Sequence, residues 1–408
     1  MVAPSEKAAS STELGPRELP MDPIASFDVL TAGRIRFGSG VAAELPSICA
    51  SLGKRPLVVL GSDPSRYAVL RSELADRGLD VAHFSVVGEP TTRIAEEAVD
   101  RAREHAADLI VGLGGGSVLD TGKAVAALLT NGGSPLDYLE VIGAGRAIVK
   151  PSLPYIAVPT TSGTGAEVTK NAVLKSEEHG VKVSLRSDSM VPRVALVDPL
   201  LTLTAPPEVT ASTGLDALTQ VLEPYVSHAH SPFTDALCRE GLVRGARSLR
   251  RAFDDGSDPV ARSDMALVSL FGGLALANAK LGAVHGFAGP LGGMIAAPHG
   301  ALCASLLPWA IEVNVRALRE RAPRSAALRR FDEVGRLLTG REDADAEDAI
   351  AWTMETARSL AIEPLRSYGL GAERVEEAVE KAARSSSMKG NPIELSPVEL
   401  REILEKAR

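Results

Sequence analysis

The chain has 408 residues, 45% hydrophobic and 24% charged, enough apolar material for two or three domains with buried cores. A formal net charge of −8 excludes the basic footprint of a nucleic-acid binder. Three cysteines, Cys49, Cys238 and Cys303, lie far apart and form no CxxC knuckle or disulfide framework, which points to a reducing, cytoplasmic setting.

Residues 1–24 are polar and rich in Ser, Pro and Glu, lack the apolar stretch of a signal peptide, and read as a disordered tail. Over 25–205, strand-like and helix-like segments alternate. Apolar strands are expected at 55–62, 80–88, 107–117 and 154–161, and helices at 65–78, 93–106 and 120–131. Strands alternating with helices predict a parallel sheet covered by helices. From 206 the strand signals stop, and Asp198-Pro199 and Pro206-Pro207 make a boundary. Helical patterns then fill 206–408, at 207–228, 233–253, 260–280, 301–320, 324–338, 345–360, 371–386 and 396–407. Between Met265 and Ile311 the only charge, histidines aside, is Lys280, but prolines, histidines and glycines interrupt the run. Buried helices are expected there rather than a membrane span.

Three stretches carry chemistry. "GLGGGSVLDTGK" (112–123) follows a strand and opens a helix, so its backbone N–H groups suit a phosphate; a tight βα turn explains the same residues. "PTTSGTG" (159–165) also follows a strand and crowds hydroxyls and glycines together. Two such loops on one parallel sheet predict a dinucleotide at the carboxyl ends of the strands. "GAVHGFAGPLGGMIAAPHG" (282–300) places His285 and His299 in the most apolar part of the chain. A lone histidine there is usually a satisfied core residue; two of them, with Gly286 and Gly300 leaving room beside the rings, can equally share a site that Asp216 completes.

These segments, together with "GLDALTQVLEPYVS" (214–227) and "SSSMKGNP" (385–392), resemble in order the motifs of the iron-containing (group III) alcohol dehydrogenases over about residues 25–408. The resemblance implies a dehydroquinate synthase-like architecture: an N-terminal α/β dinucleotide-binding domain, an all-α C-terminal domain, and an active site in the cleft between them. It implies hydride transfer between NAD or NADP and an alcohol or carbonyl, with a divalent iron or zinc as Lewis acid. Carried over by position, Gly114, Gly115, Gly116 and Ser117 would cradle the pyrophosphate, with Asp120 and Lys123 in the same motif bracing the loop. Thr160, Thr161 and Thr164 would contact the cofactor. Lys182 matches a cofactor-side lysine, although a solvated charge explains it too. Asp216, His285 and His299 match three of the four metal ligands, one Asp and three His. A homodimer or larger assembly is implied.

The sequence departs from that pattern in three places. Gln220 stands where the family usually has its first histidine ligand. It can ligate with Asp216, His285 and His299; His228 or His230 can substitute; or the site works without metal, with His285 or His299 giving a proton to the carbonyl. Gly289 stands where many members carry a histidine near the substrate oxygen, which enlarges the pocket. Gly61, followed by Ser62, stands where NAD-preferring members have an acid, so the expectation leans to NADP, with Arg66 able to reach a 2′-phosphate. Asp63 can still play the NAD role.

The leading expectation is therefore an NAD(P)-dependent alcohol dehydrogenase or carbonyl reductase. A maleylacetate-type oxo-acid reductase is the nearest rival and would need cationic groups such as Lys280 and Lys389 for substrate carboxylates. A sugar-phosphate cyclase shares the fold. A non-catalytic dinucleotide-binding scaffold is the rival of another class.

Overall fold

A computed structural model describes residues 26–408, so the tail expected at 1–24 lies outside the described residues. The chain begins with β1 (Ile35–Phe37), α1 (Leu45–Leu52), β2 (Pro56–Leu60), α2 (Ala68–Asp76), β3 (Ala82–Ser85), α3 (Thr92–Glu104), β4 (Leu109–Gly114), α4 (Gly116–Asn131) and a single-turn α5 (Pro135–Tyr138). It continues with β5 (Tyr155–Pro159), β6 (Asn171–Ser176), β7 (Val181–Arg186) and β8 (Val194–Val197). Six strands form a parallel sheet in the order β1-β8-β5-β4-β2-β3, while β6 and β7 make a separate antiparallel hairpin. The sheet is buried on both faces, as parallel sheets must be. Val58, Val111 and Ile156 join a core with Leu45 and Leu74 from α1 and α2; Leu57, Ile110 and Ala157 join another with residues of α3 and α4.

The expected strands and helices appear within a few residues of their reading. The reading missed β1, β8 and the β6–β7 hairpin. β1 has only three residues, and β6 and β7 form a half-exposed hairpin with lysines and serines among its apolar residues, so neither carries the continuous apolar run of a buried strand.

The second half is helical throughout: α6 (Pro207–Val226), α7 (Pro232–Asp254), α8 (Pro259–Asn278), α9 (Ala283–Met294), α10 (His299–Arg321), α11 (Ala326–Thr339), α12 (Ala346–Ser359), α13 (Val375–Ala383) and α14 (Pro397–Ala407). Proline opens α6, α7, α8 and α14, where its missing N–H costs nothing. Ser231, Asp258, Asp345 and Ser396 cap helix starts through their side chains. Helix α6 is the axis of this half. From Gly214 to Val226 every residue is buried, and α7, α8 and α10 pack around it.

Two helices, α8 and α10, are long and apolar enough to cross a membrane by length and composition. Most of each is buried inside the protein, 67% and 83% of the apolar window, so packing against other helices accounts for their apolar character.

Candidate active site

Asp216, Gln220 and Glu223 project from one face of α6 at i, i+4 and i+7, and all three are buried. His285 lies in the first turn of α9, and His299 opens α10 with Cys303 one turn later. Three helices thus converge four ligating side chains. Donor atoms of Asp216, His285, His299 and Cys303 all lie within 4.8 Å of one another. Asp216 Oδ1 is 3.3 Å from His285 Nε2 and 3.9 Å from His299 Nε2. Cys303 Sγ is 3.8 Å from both imidazole Nε2 atoms. Asp216 and Cys303 are fully buried, whereas the His299 side chain is 31% exposed and gives the cluster its opening.

The hydrogen bonds around the cluster fix its chemistry. Glu223 accepts from His285 Nδ1 at 2.7 Å through one oxygen and from the Val284 N–H at 2.7 Å through the other. The proton of a neutral His285 therefore sits on Nδ1, and the Nε2 lone pair faces Asp216 Oδ1, which is buried and has no hydrogen-bond partner. Two acceptors 3.3 Å apart need a proton or a cation between them. As a proton site, His285 is held well above the usual imidazole range: burial opposes the charge, but Cys303, Asp216 and Glu223 together outweigh it. Burial pushes the Cys303 thiol up to about 12. Burial also lowers His299, helped by the neighbouring His285 and Lys182 cations and opposed by Asp216.

The Gln220 amide nitrogen donates to the Gly163 carbonyl at 2.7 Å; because a carbonyl only accepts, the NH2 must face Gly163, which leaves the amide oxygen as the only atom through which Gln220 can ligate. His228 and His230 lie past the end of α6. His230 pairs with Asp235, and His228 Nδ1 is 3.4 Å from the Asn391 carbonyl, so neither replaces a ligand. Gly286 and Gly300 do not leave room beside the rings as expected. A Cβ on them would meet Met388 and the Ser212 carbonyl, so they permit helix contacts instead. Gly289 does face open space, with nothing within 4 Å of a would-be Cβ.

The two loops meet at the carboxyl edge of the sheet. Leu60 pairs with Leu113, so Gly61 and Gly114 end neighbouring strands, where the strand order switches direction. Gly115 precedes α4, and Gly116 and Ser117 open it with N–H groups that have no helical carbonyl to donate to. A Cβ on Gly115 would lie 3.3 Å from Thr161, and one on Gly116 3.0 Å from Thr164, so the glycine loop and the threonine loop line one cradle. Thr160 donates its N–H to the Gly114 carbonyl, and the buried Ser162 hydroxyl has no partner. Asp120 accepts from the Val173 N–H and pairs with Lys123, which also donates to Thr169 and to the Asn171 carbonyl. Both are engaged in tying α4 to β6. Lys182, almost fully buried, pairs with Glu89 at 2.6 Å and packs on Gly292 of α9; it is not a solvated charge. The Asp63 carboxylate is held by the Ser65 N–H and hydroxyl, and the Arg66 side chain lies outside the described residues.

The threonine loop reaches the helix that carries Asp216. Gly163 binds Gln220, one turn from Asp216, and Gly165 packs on Gly273 of α8. Comparison with known proteins agrees with this architecture. The family model for iron-containing alcohol dehydrogenase matches residues 32–199, and the model for the C-terminal part of that family matches 210–408. The chain belongs to the iron-containing alcohol dehydrogenases. It is 35% identical to long-chain-alcohol dehydrogenase 1 of Geobacillus thermodenitrificans over 91% of this chain and 94% of that one. Among solved structures it resembles a 1,3-propanediol oxidoreductase, with TM-score 0.86, 31% identity and coverage of 94% of this chain and 100% of that one. It also resembles sulfoacetaldehyde reductase from Bifidobacterium kashiwanohense, solved with NAD+, with TM-score 0.82, 27% identity and coverage of 93% and 98%. The chain is an oxidoreductase acting on CH–OH groups.

The reading from residues missed Cys303 and Glu223. Cys303 follows His299 at i+4, the spacing that also separates Asp216 and Gln220 on α6, and Glu223 lies one further turn along the α6 face.

Proposed function

We propose that this protein interconverts an alcohol and its aldehyde or ketone, with NADP preferred over NAD and a divalent metal held by Asp216, His285 and His299. The observation that carries the reading is the contact of the threonine loop, through Gly163, with the helix face that presents Asp216. It brings a dinucleotide cradle and a ligand cluster to one cleft. The residues fit both groups: an unpartnered buried carboxylate oxygen faces an imidazole lone pair in the cluster, and glycines at which a Cβ would crowd Thr161 and Thr164 line the cradle. The metal supplies Lewis acidity toward the substrate oxygen, and the nicotinamide supplies or takes the hydride.

The chain's own residues do the positioning. Glu223 holds the tautomer that aims His285 Nε2 inward. Gly114, Gly115, Gly116 and Ser117 receive the pyrophosphate, Thr160, Thr161 and Thr164 line the cofactor's path, and Lys182 closes it beneath α9. Asp120 braces that loop. His299, on the open side of the cluster, faces the substrate. Gly61 leaves room for a 2′-phosphate, and Asp63 is engaged with Ser65, which supports NADP. Open space at Gly289 favours a carbonyl bulkier than ethanol's aldehyde. Free buried cysteines support a cytoplasmic location, and we take the two domains as 25–205 and 206–408, in a homodimer or larger assembly.

The test is metal content by mass spectrometry on untagged protein, with NADPH and NADH turnover on a carbonyl panel before and after chelation. About one equivalent of metal, with activity lost on chelation, restored by metal and absent in Asp216→Asn, is the expected result. Full activity without metal would move the chemistry to His285 or His299 as proton donor. Ethanol or propanal as best substrate would remove the bulky-substrate reading.

A further inference from the structure

We infer that Cys303 is a metal ligand in this chain, completing with Asp216, His285 and His299 a one-sulfur, mixed donor set. This rests on the metal reading above and specifies its fourth donor. Four donors at bond lengths of about 2.0–2.3 Å around a tetrahedral zinc lie roughly 3.3–3.7 Å apart. The measured separations are 3.3 Å between Asp216 and His285, 3.9 Å between Asp216 and His299, and 3.8 Å from Cys303 to each histidine. They sit at or a few tenths of an ångström outside that spacing, the arrangement of a set that closes slightly on an ion. Cys303 holds this position through its helix: starting from His299, one turn of α10 puts both donors on the face that meets α6 and α9. Gln220, at the corresponding spacing on α6, has its NH2 committed to Gly163 and can offer only a neutral amide oxygen, a poorer donor to zinc than a thiolate.

Sulfur changes what the site selects. A thiolate favours zinc, or cobalt as its spectroscopic substitute, over harder cations such as manganese and magnesium. On binding, the Cys303 S–H bond breaks, its proton passes to solvent, and the sulfur lone pair forms the metal bond; nothing is oxidised or reduced. The charges of Asp216 and Cys303 then equal that of a divalent ion inside an apolar bundle, where an unbalanced charge is costly.

Cobalt(II) titration of metal-free full-length protein tests the assignment without an activity assay. The chain has three cysteines, all buried, and Cys49 and Cys238 stand on other helices, so a thiolate signal at one equivalent has one source. The expected result is one cobalt per chain with an intense near-ultraviolet thiolate-to-cobalt charge-transfer band. In Cys303→Ser the band disappears and affinity falls by about 10–100-fold or more. In the Cys303→Ser, Gln220→His double variant, cobalt binding recovers without the band. One equivalent of cobalt bound by the unaltered protein without the band overturns the role of Cys303 while leaving the metal reading intact. No cobalt bound at one equivalent overturns both. A band that persists in Cys303→Ser overturns the assignment as well.

Discussion

Glu223 decides which nitrogen of His285 is available, and a single atom exchange tests it. In Glu223→Gln, the amide oxygen can still accept from the Val284 N–H, but an NH2 then faces Nδ1. The ring accepts that hydrogen bond on Nδ1 and moves its proton to Nε2, where it can no longer ligate. Metal affinity should fall by about 10–100-fold, measured by competition with a chromophoric chelator, while the circular dichroism spectrum stays that of the parent. Unchanged affinity would show that Glu223 serves only the backbone of α9. Residues of this kind are poorly legible in a sequence. Asp216, His285 and His299 stood out because polar groups in an apolar stretch demand a reason. Glu223 looked like one more helix carboxylate, and Cys303 like a small apolar core residue, which is what cysteine usually is. Only the convergence of three helices distinguishes them, and that depends on crossings no local pattern encodes.

Helix α9 shows the limit of local patterns at the next scale. Gly286, Gly289, Gly292, Gly293 and Pro290 make it a poor helix by propensity, and the helical patterns read from spacing pass from 260–280 to 301–320 without it. Burial overrides propensity because the glycines admit close neighbours: Met388 at Gly286, Lys182 at Gly292 and the Gly180–Val181 backbone at Gly293. The long amphipathic helices, by contrast, were legible from spacing alone. A similar close approach joins the two halves of the molecule. Gly165 is left-handed at φ +59°, and a Cβ on Gly273 would stand 2.3 Å from its carbonyl oxygen. Backbone on one side and helix on the other leave no flexible side chain to yield. Gly273→Ala should destabilise the protein by about 1–3 kcal/mol and displace the threonine loop. Calorimetry checks the first effect. Steady-state kinetics check the second, with KM for the cofactor rising more than KM for the carbonyl. Lost stability with both KM values unchanged would mean that the loop does not hold the cofactor.

At the scale of the whole molecule, the contacts of Gly163 with Gln220 and of Gly165 with Gly273 join the half that holds the parallel sheet to the helical half. A ligand lying across that junction binds only the folded, assembled chain, so its affinity appears as thermal stability. Cofactor at 100 times its dissociation constant adds about 2.7 kcal/mol, which for a chain of this length raises Tm by a few degrees. The sign of cofactor preference follows from the end of β2. Gly61 presents no carboxylate, and the Asp63 carboxylate accepts from the Ser65 N–H and hydroxyl, which favours a 2′-phosphate over a free 2′-hydroxyl at this strand end. At equal concentration NADPH should therefore raise Tm more than NADH. In Gly61→Asp the order should reverse, because a carboxylate at the strand end repels the phosphate and accepts from the hydroxyl. A larger shift with NADH in the unaltered protein would place the determinant away from β2. No shift with either dinucleotide would remove the cofactor from this cleft altogether, and the glycine loop would then be only a tight turn between strand and helix.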